Sequence, residues 1–337
     1  MAAKMRDVAA RAGVSVATVS RFVAGTATVS PATSDLIAQA IKDLSYVPNR
    51  LPGILRGAGP RTLALVVGNV RNPYFPELIS GCETAAREAG FSLIFSDTDE
   101  DPDNQDQLLM RLAEERVAGI LLAPASNSRT ALAALRAVGI PAVLVDRRID
   151  GAKLDTISVD SFEAMRKGVS YLIGLGHRRI GHIGGPSNIA STEDRRRGYL
   201  AGLADAGLEA DEALMFRGDL REEGGLAGCR YLLALSDRPT AITTGNSLTT
   251  IGAMKALRAA GLGVPTEMSV LAFDDFPTAE LLDPPLSAIG QPVHDLGRRA
   301  VGMLLERLNN PELPARTEVL QSTLIIRDSV AEPRTRT

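Results

Sequence analysis

The sequence predicts a small all-α head joined to a two-lobed, doubly wound α/β body. Three observations carry this. The first 48 residues show only helical periodicity with helix-cap signals, whereas from Thr62 short apolar runs alternate with helix-length amphipathic segments. The repeating strand and helix units are too many for one comfortable sheet, and a division near Asp155 to Asp160 leaves two similar halves. The expected organisation is a head over 1–48, a joint over 49–61, a body over 62–330 and a polar, disordered tail over 331–337.

In the head, a first helix is expected from Met5 to Ala12, ended by Gly13. Ser15 is placed to cap a second, reaching about Val23, and Ser30 with Pro31 gives the N-cap and first-turn signals of a third. Leu36, Ile37, Ala40, Ile41 and Leu44 form one apolar stripe on that third helix. With Val8, Ala9, Ala12 and Val19 they would close a miniature core.

In the body, strands are expected at TLALVVG, FSLIFS, GILLA, AVLVD, TISV, RIGHIGG, ALMFRG, AITT, SVLAF and LSAIG. Near-continuous apolar strands separated by helices imply parallel sheets covered on both faces. Two such lobes facing each other leave a cleft at the carboxyl ends of their strands, where a ligand belongs.

Composition narrows the function. The 337 residues are 45% hydrophobic, yet no apolar run approaches the ~20 residues of a membrane span, and no secretory signal is visible. A cytoplasmic protein without a membrane partner is expected. Cys82 and Cys229 are far apart and read as buried small apolar residues, and His177, His182 and His294 are scattered. No metal site, cofactor or catalytic residue is therefore expected. The net charge of −3 hides an asymmetry: through Arg61 there are eight basic residues against three acids, a head of +5, so the remainder carries −8. A basic head on an acidic body suggests that the head touches a polyanion.

Helix, glycine turn and second helix describe a helix-turn-helix, whose second helix enters the DNA major groove N-terminus first. Val16 and Ala17 fall in the first turn of that helix with no internal partner, as residues meeting thymine methyls would. Arg21 one turn on can reach guanine or phosphate, and Thr18 and Ser20 suit phosphates. On pattern alone an ordinary helical hairpin is the other reading.

MRDVAARAGVSVATVSRFVAG, followed by VSPAT, AIKDLSYVPN and a glycine-bearing joint into TLALVV, resembles the N-terminal signature of the LacI/GalR family of bacterial transcription regulators, and the match spans essentially the whole chain. The resemblance implies that Val16, Ala17 and Arg21 read bases, that Tyr46 to Arg56 is a hinge folding on operator DNA, and that Asn49 and Leu55 also contact DNA. Leu55 would wedge into the minor groove at the dyad. It also implies a homodimer on a near-palindromic operator. Pro52 and Gly53 depart from the Ala-Arg pair common in such hinges.

The body then offers a ligand constellation. NVRNPYF puts Asn72, Tyr74 and Phe75 on a loop facing the cleft; Asp146 and Arg147 follow AVLV, Arg195 lies in STEDRRRGY, and Asn246, Asp274 and Gln291 follow three later strands. Aromatic faces beside bidentate hydrogen-bonding groups suit a sugar. These positions resemble the ribose-binding class of periplasmic sugar receptors. By that resemblance Tyr74 and Phe75 stack the ring, while Asn72, Asp146, Arg147, Arg195, Asn246, Asp274 and Gln291 hold the hydroxyls. Leu220 stands where those receptors carry an aromatic, and Ser247 is expected to cap the helix after Asn246.

The expected function is a repressor whose operator affinity changes when an unphosphorylated monosaccharide closes the cleft. The alternatives are a periplasmic-type sugar receptor and a sugar-acting enzyme. GLGHRRIGHIGG lacks the third glycine of a dinucleotide fingerprint, and no GxxxxGK[ST] or GxSxG occurs. Since glycine inside a helix costs roughly 1 kcal/mol against alanine, Pro52→Ala with Gly53→Arg should firm the hinge helix and tighten operator binding in a DNA titration. Unchanged affinity would remove the hinge argument.

Overall fold

The structure, a computed structural model, describes residues 3–24, 29–46, 60–127 and 129–334. The chain forms two compact units, Met1–Pro60 and Arg61–Thr337.

The first unit contains α1 (Met5–Ala12), α2 (Val16–Ala24) and α3 (Pro31–Asp43). Gly13 ends α1 in the left-handed region at φ 65°, which glycine adopts without a side-chain clash. Ser15 Oγ accepts from Thr18 N, and Ser30 Oγ from Thr33 N, so both serines cap as expected. Val8, Ala9, Ala12, Val19, Ile37 and Ala40 are buried together. Asp43 on α3 binds α1 through Arg11 Nη2 at 2.7 Å and is steadied by Gln39.

Two expectations for the head need correction. Leu36 is 56% exposed, because it sits one position off the face that α3 turns inward. Tyr46, placed by resemblance at the start of the hinge, is buried in the head's core, where it packs with residues of all three helices. Asn49, Pro52, Gly53 and Leu55 lie outside the described residues.

The second unit carries two six-stranded sheets. All ten expected strands are present: β1 (Thr62–Val67), β2 (Ser92–Asp97), β3 (Gly119–Leu122), β4 (Ala142–Val145), β5 (Asp155–Val159), β6 (Ile180–Gly184), β7 (Met215–Arg217), β8 (Ala241–Thr244), β9 (Ser269–Phe273) and β10 (Ser287–Gly290). Two further strands, β11 (Thr317–Leu320) and β12 (Thr323–Ile325), escaped sequence reading because each is short and half exposed. The sheet orders are β11-β5-β4-β3-β1-β2 and β12-β10-β9-β8-β6-β7. Every pairing is parallel except β10 with β12.

The helices between strands are α4 (Tyr74–Glu88), α5 (Pro102–Glu114), α6 (Arg129–Val138), α7 (Ser161–Gly174), α8 (Ala190–Asp205), α9 (Glu222–Leu233), α10 (Ser247–Ala259) and α11 (Val293–Asn309). The lobes do not divide once at Asp155 to Asp160, because α11 returns to the first lobe and β11 pairs with β5 there. The chain therefore crosses between lobes three times, near Asp160, Gln291 and Ser322. Two crossings are tied together: Asp160 N donates to Leu320 O, and Ser322 N donates to Asp160 Oδ1 at 2.7 Å.

Glycine sets the spacing of the helix layer. A Cβ on Gly81 of α4 would lie 2.1 Å from His294 O at the start of α11, and one on Gly252 of α10 would lie 2.1 Å from Glu222 O of α9. Backbones approach this closely only where no side chain intervenes.

Both cysteines are buried, and burial pushes each thiol up to about 12. The tail departs from expectation at its first residue. Ala331 is held to the second lobe, its carbonyl bonded to His177 Nε2 and its N–H donated to Ser269 Oγ.

His182 on β6 stacks on Tyr199 with centroids 5.1 Å apart, and its Nδ1 meets Thr243 Oγ1 at 2.9 Å. Burial, helped by Arg195 and Arg196, pulls its pKa down to about 4. The folded chain thus holds this ring neutral where the unfolded chain, with an ordinary value of 6.5, takes up a proton. Its contribution is present above pH 6.5 and lost as pH falls towards 4, by at most about 3 kcal/mol. Melting temperatures at pH 7 and 4.5 should accordingly converge in His182→Phe relative to the parent. An equal drop in both proteins would refute the assignment.

Candidate functional site

The carboxyl ends of both sheets carry the loops that face one another. Asn72, Tyr74, Phe75, Asp146, Arg147, Arg195, Leu220, Asn246 and Asp274, drawn from both lobes, line one tightly closed cavity of about 20 Å³ together with Ser191. Three of these residues hold left-handed backbone without being glycine: Asp146 at φ 66°, Leu220 at 63° and Asp274 at 77°. Such conformations cost energy and cluster where a chain must present a side chain at one place.

Local bonding fixes the first loop. Asn72 Oδ1 accepts from Tyr74 N at 3.1 Å, and the Tyr74 and Phe75 rings pack edge to face with centroids 5.3 Å apart. Phe75 is also part of the first lobe's core. Across the cavity, the Arg195 guanidinium lies 3.8 Å from the centre of the Phe273 ring, and its Nη1 donates to Gly245 O. Gln291 stands behind the cavity wall, where its amide nitrogen donates to Asp274 Oδ1.

Several side chains expected to reach a ligand are already engaged. Arg147 sends both terminal nitrogens to Glu100, at 2.6 and 2.7 Å, and one also to Pro124 O. Burial opposes its charge, but Glu100 outweighs burial and the guanidinium is held more firmly protonated than usual. Asn246, rather than Ser247, caps α10: its Oδ1 accepts from Thr249 N at 2.8 Å, and its Nδ2 donates to Leu220 O. Ser247 is the first residue of that helix, and its N–H and hydroxyl point to Asp274 Oδ2. Because the helix begins at Ser247, the cap position falls on Asn246, whose extended backbone aims its side chain at the first turn.

The remaining polar atoms are the informative ones. Among the described residues, nine buried side-chain nitrogens and oxygens have no hydrogen-bond partner, and four belong to residues lining this cavity: Tyr74 Oη, Asp146 Oδ1, Arg147 Nε and Arg195 Nε, with Arg147 Nε held in an ion pair 3.3 Å from Asp146 Oδ2. Each such atom costs on the order of 1–3 kcal/mol unless something bonds to it. Burial and the Asp146 and Asp274 carboxylates drive the Tyr74 hydroxyl well above its ordinary pKa. Burial also raises Asp274, against the pull of Arg195. A molecule offering both donors and acceptors satisfies this set. Beside the cavity, sharing Tyr74 and Asp274, opens a larger groove of about 690 Å³ lined by Pro73, Pro76, Phe276 and Pro277. It has more room but not the convergence of orphaned atoms, which makes the smaller cavity the candidate site.

Sequence reading missed Glu100 and Ser191. Glu100 lies in the acidic run DTDEDPD, which reads as a solvated turn, and only tertiary folding brings it to Arg147. Ser191 opens α8 and has no distinguishing spacing.

On the head, Val16 is 47% exposed, and Ala17 and Arg21 are exposed on the same helix, while Val19 is fully buried. Thr18 is half-buried with its hydroxyl 2.8 Å from Ser15 Oγ, so it supports the cap as well as facing outward. Ser20 is half-buried. Arg21 Nε donates to Ala17 O, leaving the rest of its guanidinium outward.

Because Arg147 is 5% exposed and Glu100 12%, Glu100→Gln leaves a buried cation with half its pairing. Destabilisation of about 3–5 kcal/mol is expected in urea unfolding. A loss below 1 kcal/mol would show that the pair is not structural.

Comparison with known proteins places this geometry in context. Residues 4–49 match the family described as bacterial regulatory proteins, lacI family, and residues 169–330 match a periplasmic binding protein-like domain. The ribose operon repressor of Escherichia coli (strain K12) is 33% identical over 328 residues, covering 97% of this chain and 99% of that one. A transcriptional regulator CelR in complex with cellobiose superposes with a TM-score of 0.75 at 31% identity, over 97% of this chain and 99% of the other. The lac repressor dimer bound to operator and the anti-inducer ONPF superposes with a TM-score of 0.87 at 25% identity, over 98% and 100%. With a head of α1 to α3, two parallel sheets and full-length relatives at this identity, the chain belongs to the lacI family of bacterial regulatory proteins and is a transcriptional regulator.

Proposed function

We propose that the chain is a repressor that grips a near-palindromic operator as a homodimer and releases it when a free monosaccharide of ribose-like size binds between the lobes. The observation that carries the effector reading is the set of four orphaned polar atoms on residues lining one inter-lobe cavity. Asp146 Oδ1 accepts, Arg195 Nε and Arg147 Nε donate, and Tyr74 Oη does either. A ring of hydroxyls answers such a mixture, while the Tyr74 face suits the apolar side of a sugar.

Charge argues against a phosphate ester. Arg147 is paired both with Glu100 and, through Nε at 3.3 Å, with Asp146, and Arg195 faces the carboxyl of Asp274. A dianion would enter a site without net positive charge. The same groups are fixed binders rather than an activated nucleophile with its base, which supports binding over turnover. We place the protein in the cytoplasm, where its DNA is.

Sugar binding alters operator affinity only if the two lobe arrangements bind sugar differently, and by linkage the operator must then weaken the sugar by the same factor. Val16, Ala17 and Arg21, with Thr18 and Ser20 towards the phosphates, supply the head's DNA contacts, and Asn49 and Leu55 extend them.

A thermal-shift series with D-ribose, other pentoses and hexoses, their phosphates and purines should show stabilisation by one free monosaccharide. A shift only with a phosphate or a purine would defeat the pocket reading and leave the DNA-binding one. Arg21→Ala should weaken a specific operator by about tenfold or more, the order of one bidentate base contact, with the melting temperature unchanged. Undiminished affinity would exclude Arg21 from the reading surface.

A further inference from the structure

The cavity has two rims, and each is closed by an ion pair between lobes. On one, Arg148 of the first lobe holds Asp194 of the second: Nη2 meets Oδ1 at 3.0 Å and Nη1 meets Oδ2. Asp150 steadies Arg148 through its Nε, and Asn127, paired to Asp150 at 2.6 Å, sends its N–H across to Asn188 O at 2.7 Å. On the other rim, Arg221 of the second lobe reaches Asp99 of the first, its Nη2 lying 2.8 Å from the carbonyl and 3.0 Å from Oδ1. Asp99 is shared with Arg71, and Asp219 Oδ1 fixes Arg221 by accepting its N–H.

None of these residues lines the cavity, yet each pair member adjoins a residue that does or that grips one. Arg148 follows Arg147, Asp194 precedes Arg195, Arg221 follows Leu220, and Asp99 precedes Glu100, which holds Arg147. Asp99 and Glu100 are consecutive left-handed residues at φ 52° and 60°, a turn with little freedom to absorb a displacement. Parting either rim therefore drags cavity residues of opposite lobes away from each other.

We propose that Arg148–Asp194 and Arg221–Asp99 are latches that hold the lobes closed, setting effector affinity and residence time without touching the effector. They are positioning residues, and this rests on the reading of the cavity as the effector site. The pairs are partly exposed, with Arg148 at 44% and Arg221 at 32%, so salt screens them. A single pair of this kind shifts the closed population only a few-fold, and the two together by about tenfold. Closure is thus firm enough to preorganise the cavity and weak enough to open for exchange.

The test uses the full-length chain with spin labels at Glu114→Cys on the first lobe and Glu209→Cys on the second, both exposed positions, diluted with unlabelled chain. The buried Cys82 and Cys229 stay unlabelled. Without effector, the parent should give one short inter-label distance at low salt, and Arg148→Ala with Arg221→Ala should add a longer one. The reversal Arg148→Asp with Asp194→Arg, made in Arg221→Ala, should bring the short distance back; a merely structural role would not predict that rescue. D-ribose affinity, measured by calorimetry, should fall about tenfold in the double alanine variant, with faster release. Identical distance distributions in parent and double variant would overturn the latches. If the parent fails to bind D-ribose, the monosaccharide reading is at fault, and the distance measurement decides the latches alone.

Discussion

Everything in the body depends on the rule that parallel strands need crossovers. Because a parallel neighbour is reached only by a crossover, a helix in most cases and the loop 146–154 between β4 and β5, the carboxyl ends of the parallel strands of a sheet lie along one edge. In both sheets the order turns at the first strand, β1 between β2 and β3, and β6 between β7 and β8. The crevice at such a turning point is where an open sheet accepts a ligand. Two sheets set edge to edge put two crevices in opposition, and Asn72 from one lobe comes to face Arg195 and Asp274 from the other. Gly81 and Gly252 let the covering helices pack backbone to backbone, α4 on α11 and α10 on α9.

Closing two polar edges on each other raises the problem of buried charge. The chain answers it in two ways. Some groups are paired within the protein, as Arg147 is with Glu100 and Asp274 with Gln291 and Ser247. Others are left incomplete, and their unmet hydrogen bonds concentrate in one place. The first set ties the walls of the cavity together, and the second leaves donors and acceptors open towards it. Arg147 changed category between sequence and structure for this reason. Its guanidinium was expected to meet a ligand, but four of its five N–H donors lie on the two terminal nitrogens that Glu100 engages.

The head follows a different logic. Among the described residues its core is seven buried residues, one of them Tyr46 from beyond the last helix. Helix α2 turns Val19 into this core and leaves Val16 exposed. The exposed Val16 and Ala17 share that helix with the exposed Arg21, and the chain belongs to a family of regulatory proteins.

Local chemistry is what the sequence determined alone. The serine caps at Ser15 and Ser30, the glycine stop at Gly13, all ten strands of the two sheets and the strand-end positions of the cavity residues were legible, because caps, turns and apolar runs act over a few residues. Tertiary structure decided what depends on distant partners. The acidic run containing Glu100 and Asp99 looks solvated until Arg147 and Arg221 arrive from 47 and 122 residues away. The return of α11 and β11 to the first lobe has no local signature either, since β11 is short, half exposed and stabilised by pairing with β5. Pattern reports which face a residue shows; only folding decides which partner meets it there, because pairing energy between remote groups exists only once the chain has closed the loop between them.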